Sequence, residues 1–294
     1  MSDYTAAMPA ESSPAEPSRA ASGTSEYVSV PTVLGGERSD RKTELLSGGS
    51  GPPLLYLHSA AGEMEWSGLH ERLAERFTVY APAHPGFSYS AGGESIRSVA
   101  DLAWHTLDLI DLLADRDGWS APIPVVGFSL GGWIAAEAAI LRPSHISQLV
   151  LTCAAGLRLE HAPYGDLFQD DLVRLRELLF HDPSDLDTVE RSMPISMQDG
   201  RLVQWLKARE ATARVAWNPY LHNPRLPDHL HRITAKTLVL WADGDRLIPP
   251  AHADAWAAAI PGARKQLIAD AGHMLPLENP DRWADAVLAF LDGP

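Results

Sequence analysis

The sequence predicts an α/β protein: a mostly parallel central sheet with helices on both faces, plus a helical cap insertion. Three observations predict it. Short apolar runs alternate with helical patterns over residues 27–155 and again over 236–294. The runs are continuous rather than alternating, as strands covered on both faces read. Between 156 and 235, helical patterns occur with no strand among them.

The elements follow in order. Residues 1–26 are mainly Ser, Ala, Pro and Glu, with too little apolar surface to offset ordering, so a disordered tail is expected. Tyr27 to Leu34 and Lys42 to Leu46 read as strands joined by a turn around Gly35-Gly36. Pro53 to Leu57 is a buried strand ending at His58. Trp66, Leu69, Leu73 and Phe77 recur at helical spacing, and Phe77 to Ala81 is the next strand. Val99, Leu102, Ala103, Leu107, Ile110 and Leu113 form one face of a long amphipathic helix. Ile123 to Val126 is a strand, and Gly131 to Leu141 a helix of small residues stopped by Pro143. Ile146 to Thr152, Thr237 to Trp241 and Lys265 to Ile268 complete the strands. Helices at Ala251 to Ile260 and Pro280 to Leu291 follow the last two. In the cap, Asp166 to Phe180 and Met197 to Trp217 read as helices.

Composition narrows the function classes. The chain has 294 residues, 45% of them hydrophobic and 21% charged, a balance that buries a sizeable core. Its formal charge is −14, which repels phosphate backbones and anionic lipid, so neither nucleic acid nor membrane is expected as a partner. Cys153 is the one cysteine, so no intrachain disulfide forms. No basic-then-apolar leader opens the chain and no stretch is long enough to span a bilayer, so a cytoplasmic protein acting on a small molecule is expected. Its oligomeric state is left open.

The chemistry centres on Gly127-Phe128-Ser129-Leu130-Gly131-Gly132, directly after a strand and before a helix. This is the G-x-S-x-G turn in the setting it requires. It places Ser129 at a helix N-terminus, where backbone N–H groups favour developing negative charge. A hydroxyl becomes a useful nucleophile only beside a base, and that base needs a third group to fix its tautomer. Asp243, Asp245 and His273 follow later strands, so their loops converge with Ser129 at the sheet's carboxyl edge.

With these motifs the chain resembles the α/β-hydrolase family from about Tyr27 to the C-terminus. Leu54-Leu55-Tyr56-Leu57-His58-Ser59-Ala60 is similar to the family's strand ending in His-Gly. Leu238 to Pro249 is similar to its strand and turn bearing the acid, and Asp270-Ala271-Gly272-His273 to its histidine turn. The resemblance implies Ser129 as nucleophile, His273 as general base and Asp245 as the orienting acid. Asp245, four residues before Pro249, fits the acid's place better than Asp243. The resemblance also implies an oxyanion hole from the N–H groups of Leu130 and Ala60, and structural parts for His58 and His84. Ser59 departs from the pattern by standing where glycine is usual, and backbone strain is expected there if that glycine has positive φ.

A serine nucleophile implies acyl chemistry: hydrolysis of a carboxylic ester or lactone through an acyl-enzyme, with neither cofactor nor metal. One alternative is hydrolysis of a carbon–carbon bond in a vinylogous diketone, as in meta-cleavage-product hydrolases. Ala60-Ala61-Gly62 and Met274 depart from that group's pattern. Another is a non-catalytic ligand receptor on the same fold. Of the cap residues Tyr164, Phe168, Phe180, Met193, Met197, Trp205, Trp217 and Tyr220, most are expected in the cap's own core and some on the cleft, making an apolar pocket for small or medium acyl groups.

Overall fold

A computed structural model describes residues 23–34, 37–169 and 171–293. The expected tail lies outside the described residues over 1–22, as does the turn at Gly35-Gly36. From Thr24 the chain is already in a strand, three residues before the pattern suggests.

The strands are β1 (Thr24–Leu34), β2 (Glu37–Gly48), β3 (Pro53–Leu57), β4 (Thr78–Pro82), β5 (Ile123–Phe128), β6 (Ile146–Thr152), β7 (Lys236–Ala242) and β8 (Arg264–Ile268). They form one sheet in the order β1-β2-β4-β3-β5-β6-β7-β8. β1 pairs with β2, and β2 with β4, antiparallel; all other pairs are parallel. β1 and β2 reach well beyond the short runs expected, because they form a two-stranded arm with polar faces that give little hydrophobic signal. At the other edge, β8 shows four exposed residues before Ile268, and its Arg264 and Lys265 suit an unpaired margin. The central strands are buried on both sides: Val125, Val126, Leu149, Val150, Leu151, Val239, Leu240 and Trp241 are all inaccessible to solvent.

Helices α1 (Gly68–Ala74), α2 (Val99–Asp117) and α3 (Leu130–Leu141) connect β3 to β4, β4 to β5 and β5 to β6. The first crossover runs one way along the sheet and the next two the other way. Right-handed crossovers of opposite direction put α1 on one face and α2 and α3 on the other. The order therefore reverses between β3 and β5, and a crevice opens at their carboxyl ends, where ligands bind in open α/β sheets. α2 starts at a reciprocal cap: Ser98 Oγ accepts from Asp101 N–H, and Asp101 Oδ2 accepts from Ser98 N–H. It stops at Gly118, whose φ is 73°.

Between β6 and β7, in the segment read from the sequence as a cap, lie α4 (Leu172–Leu179), α5 (Leu186–Glu190) and α6 (Leu202–Ala216). Two of these are shorter than the sequence pattern. α4 begins six residues later than Asp166 because Asp171 takes the N–H groups of Val173 and Arg174 on its side chain, an N-cap. α6 begins after Asp199, whose carboxylate accepts from the Arg201 N–H and turns the chain before Leu202. After the cap come α7 (Ala251–Ala259), the single turn α8 (Leu275–Glu278) and α9 (Pro280–Leu291), which packs on α1. Among the described residues no helix is long and apolar enough to cross a membrane.

Candidate active site

Ser129 joins β5 to α3 with φ 53° and ψ −112°, a conformation that costs a non-glycine residue on the order of 1–3 kcal/mol. The surroundings hold it there. Its N–H donates to the Thr152 carbonyl at 2.9 Å, and its carbonyl accepts from Ala155 at 3.1 Å and Trp133 at 3.2 Å. The glycines around it permit the close approach. A Cβ on Gly127 would lie 2.4 Å from the Gly131 carbonyl oxygen, and one on Gly131 would lie 2.1 Å from that of Leu57. Helix α3 can therefore sit against both β5 and the end of β3.

Asp245 lies in the turn after β7. Its Oδ1 accepts from the N–H groups of Leu247 (3.0 Å) and Ile248 (2.8 Å). The Ile248 carbonyl accepts the indole N–H of Trp241 at 2.9 Å, so a buried tryptophan at the strand's end fastens the turn. Its neighbour Asp243 is exposed. His273 follows β8, and Gly272 is again obligatory: a Cβ there would sit 2.5 Å from the His181 nitrogen. The Glu278 carboxylate bridges these two segments, accepting from Gly272 N–H at 2.7 Å and from His181 N–H at 2.6 Å. Burial raises the pKa of this carboxyl against the pull of those N–H donors. Nothing local in the sequence points to Glu278, because one of its partners lies 97 residues away in the cap.

These turns bring three side chains together. His273 Nε2 lies 2.9 Å from Ser129 Oγ, and His273 Nδ1 lies 2.8 Å from Asp245 Oδ2. Because Asp245 accepts at Nδ1, that nitrogen carries the proton and Nε2 accepts from the serine hydroxyl. Ser129, His273 and Asp245 are all buried, at 4%, 2% and 3% exposure, so the pairings escape competition from bulk water.

Of the two N–H groups expected to face an oxyanion, Leu130 occupies the first position of α3, where helical geometry leaves the N–H without an intrahelical acceptor. Ala60 lines the same cavity as Ser129 and His273. The strain expected at Ser59 is absent, since Ser59 is not among the residues of positive φ. His58 and, from the turn after β4, His84 brace this loop: His58 Nδ1 donates to the Ser59 carbonyl at 2.7 Å, and its Nε2 accepts from His84 N–H at 3.0 Å. Burial pushes the His58 imidazole down to about 4.

Cys153 lies within 4.8 Å of the Asp245 and His273 ligand atoms, the one such close group of potential metal ligands among the described residues. Burial, and then the neighbouring Asp245 carboxylate, push its thiol well above the usual range. Metal binding needs the thiolate, and Asp245 and His273 already satisfy each other, so the donor set suits a hydrogen-bonded cluster better than an ion.

The cavity over Ser129 measures about 30 Å³, room for a water or two. The segment between β6 and β7 roofs it with Leu167, Phe168, Leu175, Leu179 and Trp205, joined by the half-buried Arg209. Of the eight apolar cap residues singled out by sequence, Phe168 and Trp205 line it. Phe180 and Met193 are buried, Met197 is exposed, and Tyr164, Trp217 and Tyr220 line a separate groove. A second cavity, about 400 Å³, adjoins the first and shares Ala61 and Trp205 with it.

Known proteins share this architecture. The chain is 26% identical over 250 residues to a pimeloyl-[acyl-carrier protein] methyl ester esterase of Nitrosomonas europaea, covering 80% of this chain and 94% of that protein. It is 24% identical over 264 residues to a 2-hydroxy-6-oxo-6-(2'-aminophenyl)hexa-2,4-dienoic acid hydrolase of Metapseudomonas resinovorans, covering 85% and 87%. A thermophilic esterase from Thermogutta terrifontis superposes with a TM-score of 0.70 at 22% identity, covering 90% of this chain and 98% of that one. Residues 45–286 match the Alpha/beta hydrolase family, and the protein belongs to that family.

Proposed function

We propose that this protein is a serine hydrolase that cleaves a carboxylic ester or lactone of a small to medium apolar substrate. The observation that carries the reading is the continuous contact from Ser129 Oγ through the His273 ring to Asp245. In this reading Ser129 attacks the substrate carbonyl while His273 Nε2 takes its proton. Asp245 holds the ring in the required tautomer and stabilises the imidazolium. The N–H groups of Leu130 and Ala60 receive the tetrahedral oxyanion. His273 then passes its proton to the leaving alcohol, and water, deprotonated by the same ring, releases the acid and restores Ser129.

The apolar roof favours an acyl group without charge. A cavity of about 30 Å³ admits no such group until the cap shifts, since ligand sites run to several hundred Å³. Withdrawal of Trp205, the larger of the two side chains that both cavities share, would join the smaller space to the larger.

The second reading is carbon–carbon bond hydrolysis, favoured by the likeness to the dienoic acid hydrolase. A panel of soluble esters, lactones and vinylogous diketones run on wild type and Ser129→Ala separates the two. The ester or lactone reading expects turnover there, lost in Ser129→Ala, together with fluorophosphonate labelling of the wild type alone. Diketone turnover exceeding that of every ester would replace it. A protein that neither labels nor turns over any member would be a receptor.

A further inference from the structure

The serine that departs from the family's glycine has a partner. Ser59 Oγ donates to Glu63 Oε1 at 2.5 Å, and Ser59 N–H donates to Glu63 Oε2 at 3.1 Å. Ser59 Oγ also accepts from Ala61 N–H at 3.0 Å. The carbonyl of the same serine is held from the opposite side by His58 Nδ1 at 2.7 Å and Gly62 N–H at 3.2 Å. In a trans peptide the C=O and N–H point opposite ways, so pinning the Ser59 carbonyl in the turn aims the Ala60 N–H out of it. The Ala60–Ala61 peptide is held by that Ala61 N–H bond, and Thr212 Oγ1, whose proton goes to the Ala208 carbonyl at 2.8 Å, lies 3.4 Å from the Ala60 carbonyl. Both peptide planes flanking Ala60 are therefore restrained.

We propose that Glu63 is a positioning residue for the oxyanion loop: through Ser59 its carboxylate holds the Ala60 N–H where negative charge develops. The inference rests on Ser129 being the nucleophile. Glu63 touches no reacting atom; it acts by making two charge-assisted hydrogen bonds to one residue, which fix that residue's orientation as well as its place. A donor already aimed at the transition state costs no reorganisation when the charge appears. Glycine at 59 would keep the N–H bond but lose both hydroxyl bonds. Burial raises the Glu63 carboxyl above its usual range while the Ser59 bonds oppose that shift, so acid weakens the clamp.

The test compares Glu63→Gln, Ser59→Gly and the double variant with wild type, on the ester the enzyme hydrolyses best. Affinities are measured for a trifluoromethyl ketone, which adds the serine and carries an oxyanion, and for its methyl ketone counterpart, which does not. Each single variant is expected to lower kcat about 10–100-fold with KM within about threefold, less than the 10²–10³ of a donor removed outright. Trifluoromethyl ketone affinity should fall with kcat while methyl ketone affinity holds, and the double variant should be no worse than the poorer single, since the two residues act as one unit. Wild-type kcat in both single variants, equal loss of the two ketones, or losses that multiply would overturn the proposal. Ser59→Gly leaves the buried volume almost unchanged and keeps the test usable if Glu63→Gln does not fold. Ester turnover surviving Ser129→Ala would overturn the nucleophile and this inference together. Turnover lost in Ser129→Ala but untouched in the Glu63 and Ser59 variants overturns the positioning role alone.

Discussion

The floor and the roof of the cavity are built differently. On the floor, each of the three contacting side chains stands on a turn pinned by hydrogen bonds: the Ser129 backbone to Thr152 and Ala155, the Asp245 carboxylate to the N–H groups of Leu247 and Ile248, and His273 through Gly272 N–H to the Glu278 carboxylate. The roof presents Phe168 from a loop, Leu175 and Leu179 from the eight-residue α4 and Trp205 from the fifteen-residue α6. The outer side of that roof leaves Met197, Val203, Leu206 and Trp217 exposed. A hydrogen-bonded floor holds geometry to a fraction of an ångström, which bond-making requires. The α4 end of the roof is tied down, since the Leu179 carbonyl accepts from Met274 N–H at 3.1 Å, so the movement that entry of a substrate requires falls to packed side chains such as Trp205.

Substitutions in the two halves should therefore differ in kind. Ser129→Ala, the largest expected effect, should lower turnover by about 10⁴–10⁶ with the fold intact, measured on the preferred ester and checked by thermal melting. Asp245→Asn should follow at about 10³–10⁴, because the ring then loses its fixed tautomer, whereas exposed Asp243→Asn should leave kcat nearly unchanged. The reverse ranking would move the acid to Asp243. In the roof, Trp205→Ala should alter KM or acyl-chain preference by roughly tenfold and kcat far less, since it removes packing rather than chemistry; an equal fall in kcat would make the roof part of the reacting assembly.

Acid should destabilise the body of the fold beneath the roof. Burial lowers His58 to about 4, and His70 and His105 to about 3. It also holds His84 well below the usual value, with His58 close by. These rings are neutral in the folded chain, while the unfolded chain binds protons below pH 6.5. Their contribution is intact above about pH 6.5 and is lost as pH falls through the window down to about 3–4. Each ring costs up to a factor of ten in the folding equilibrium per pH unit. Urea melts from pH 7.5 to 4 should show a falling midpoint, and a flat one would mean that charged imidazoles are accommodated. The smallest effect is expected at Met197→Ala, within about 0.5 kcal/mol of wild type, as befits an exposed roof residue.

The element order, the turn geometry demanded by Gly127 to Gly132 and the spacing of Asp245 before Pro249 are local signals, so the chain reveals them without coordinates. The starts of α4 and α6 are not legible from periodicity alone, because the capping carboxylate of Asp171 and the turn made by Asp199 interrupt a pattern that apolar spacing continues. Which aromatic residues face the cleft was not legible either. Phe180, buried just past the end of α4, and Trp205, turned to the cavity from α6, fit the same 3.6-residue period.

By itself the sequence determined which residue types end each strand and in what order, since strained turns and buried strands demand particular side chains wherever they fold. Tertiary structure alone decided that Glu63 grips Ser59, that Glu278 ties the His273 turn to the cap, and that Phe168 and Trp205 roof the cavity. Those outcomes depend on where separate segments come to lie against one another. A carboxylate close to its partner in sequence, like one distant from it, signals no bond until the loops between them have taken their shape.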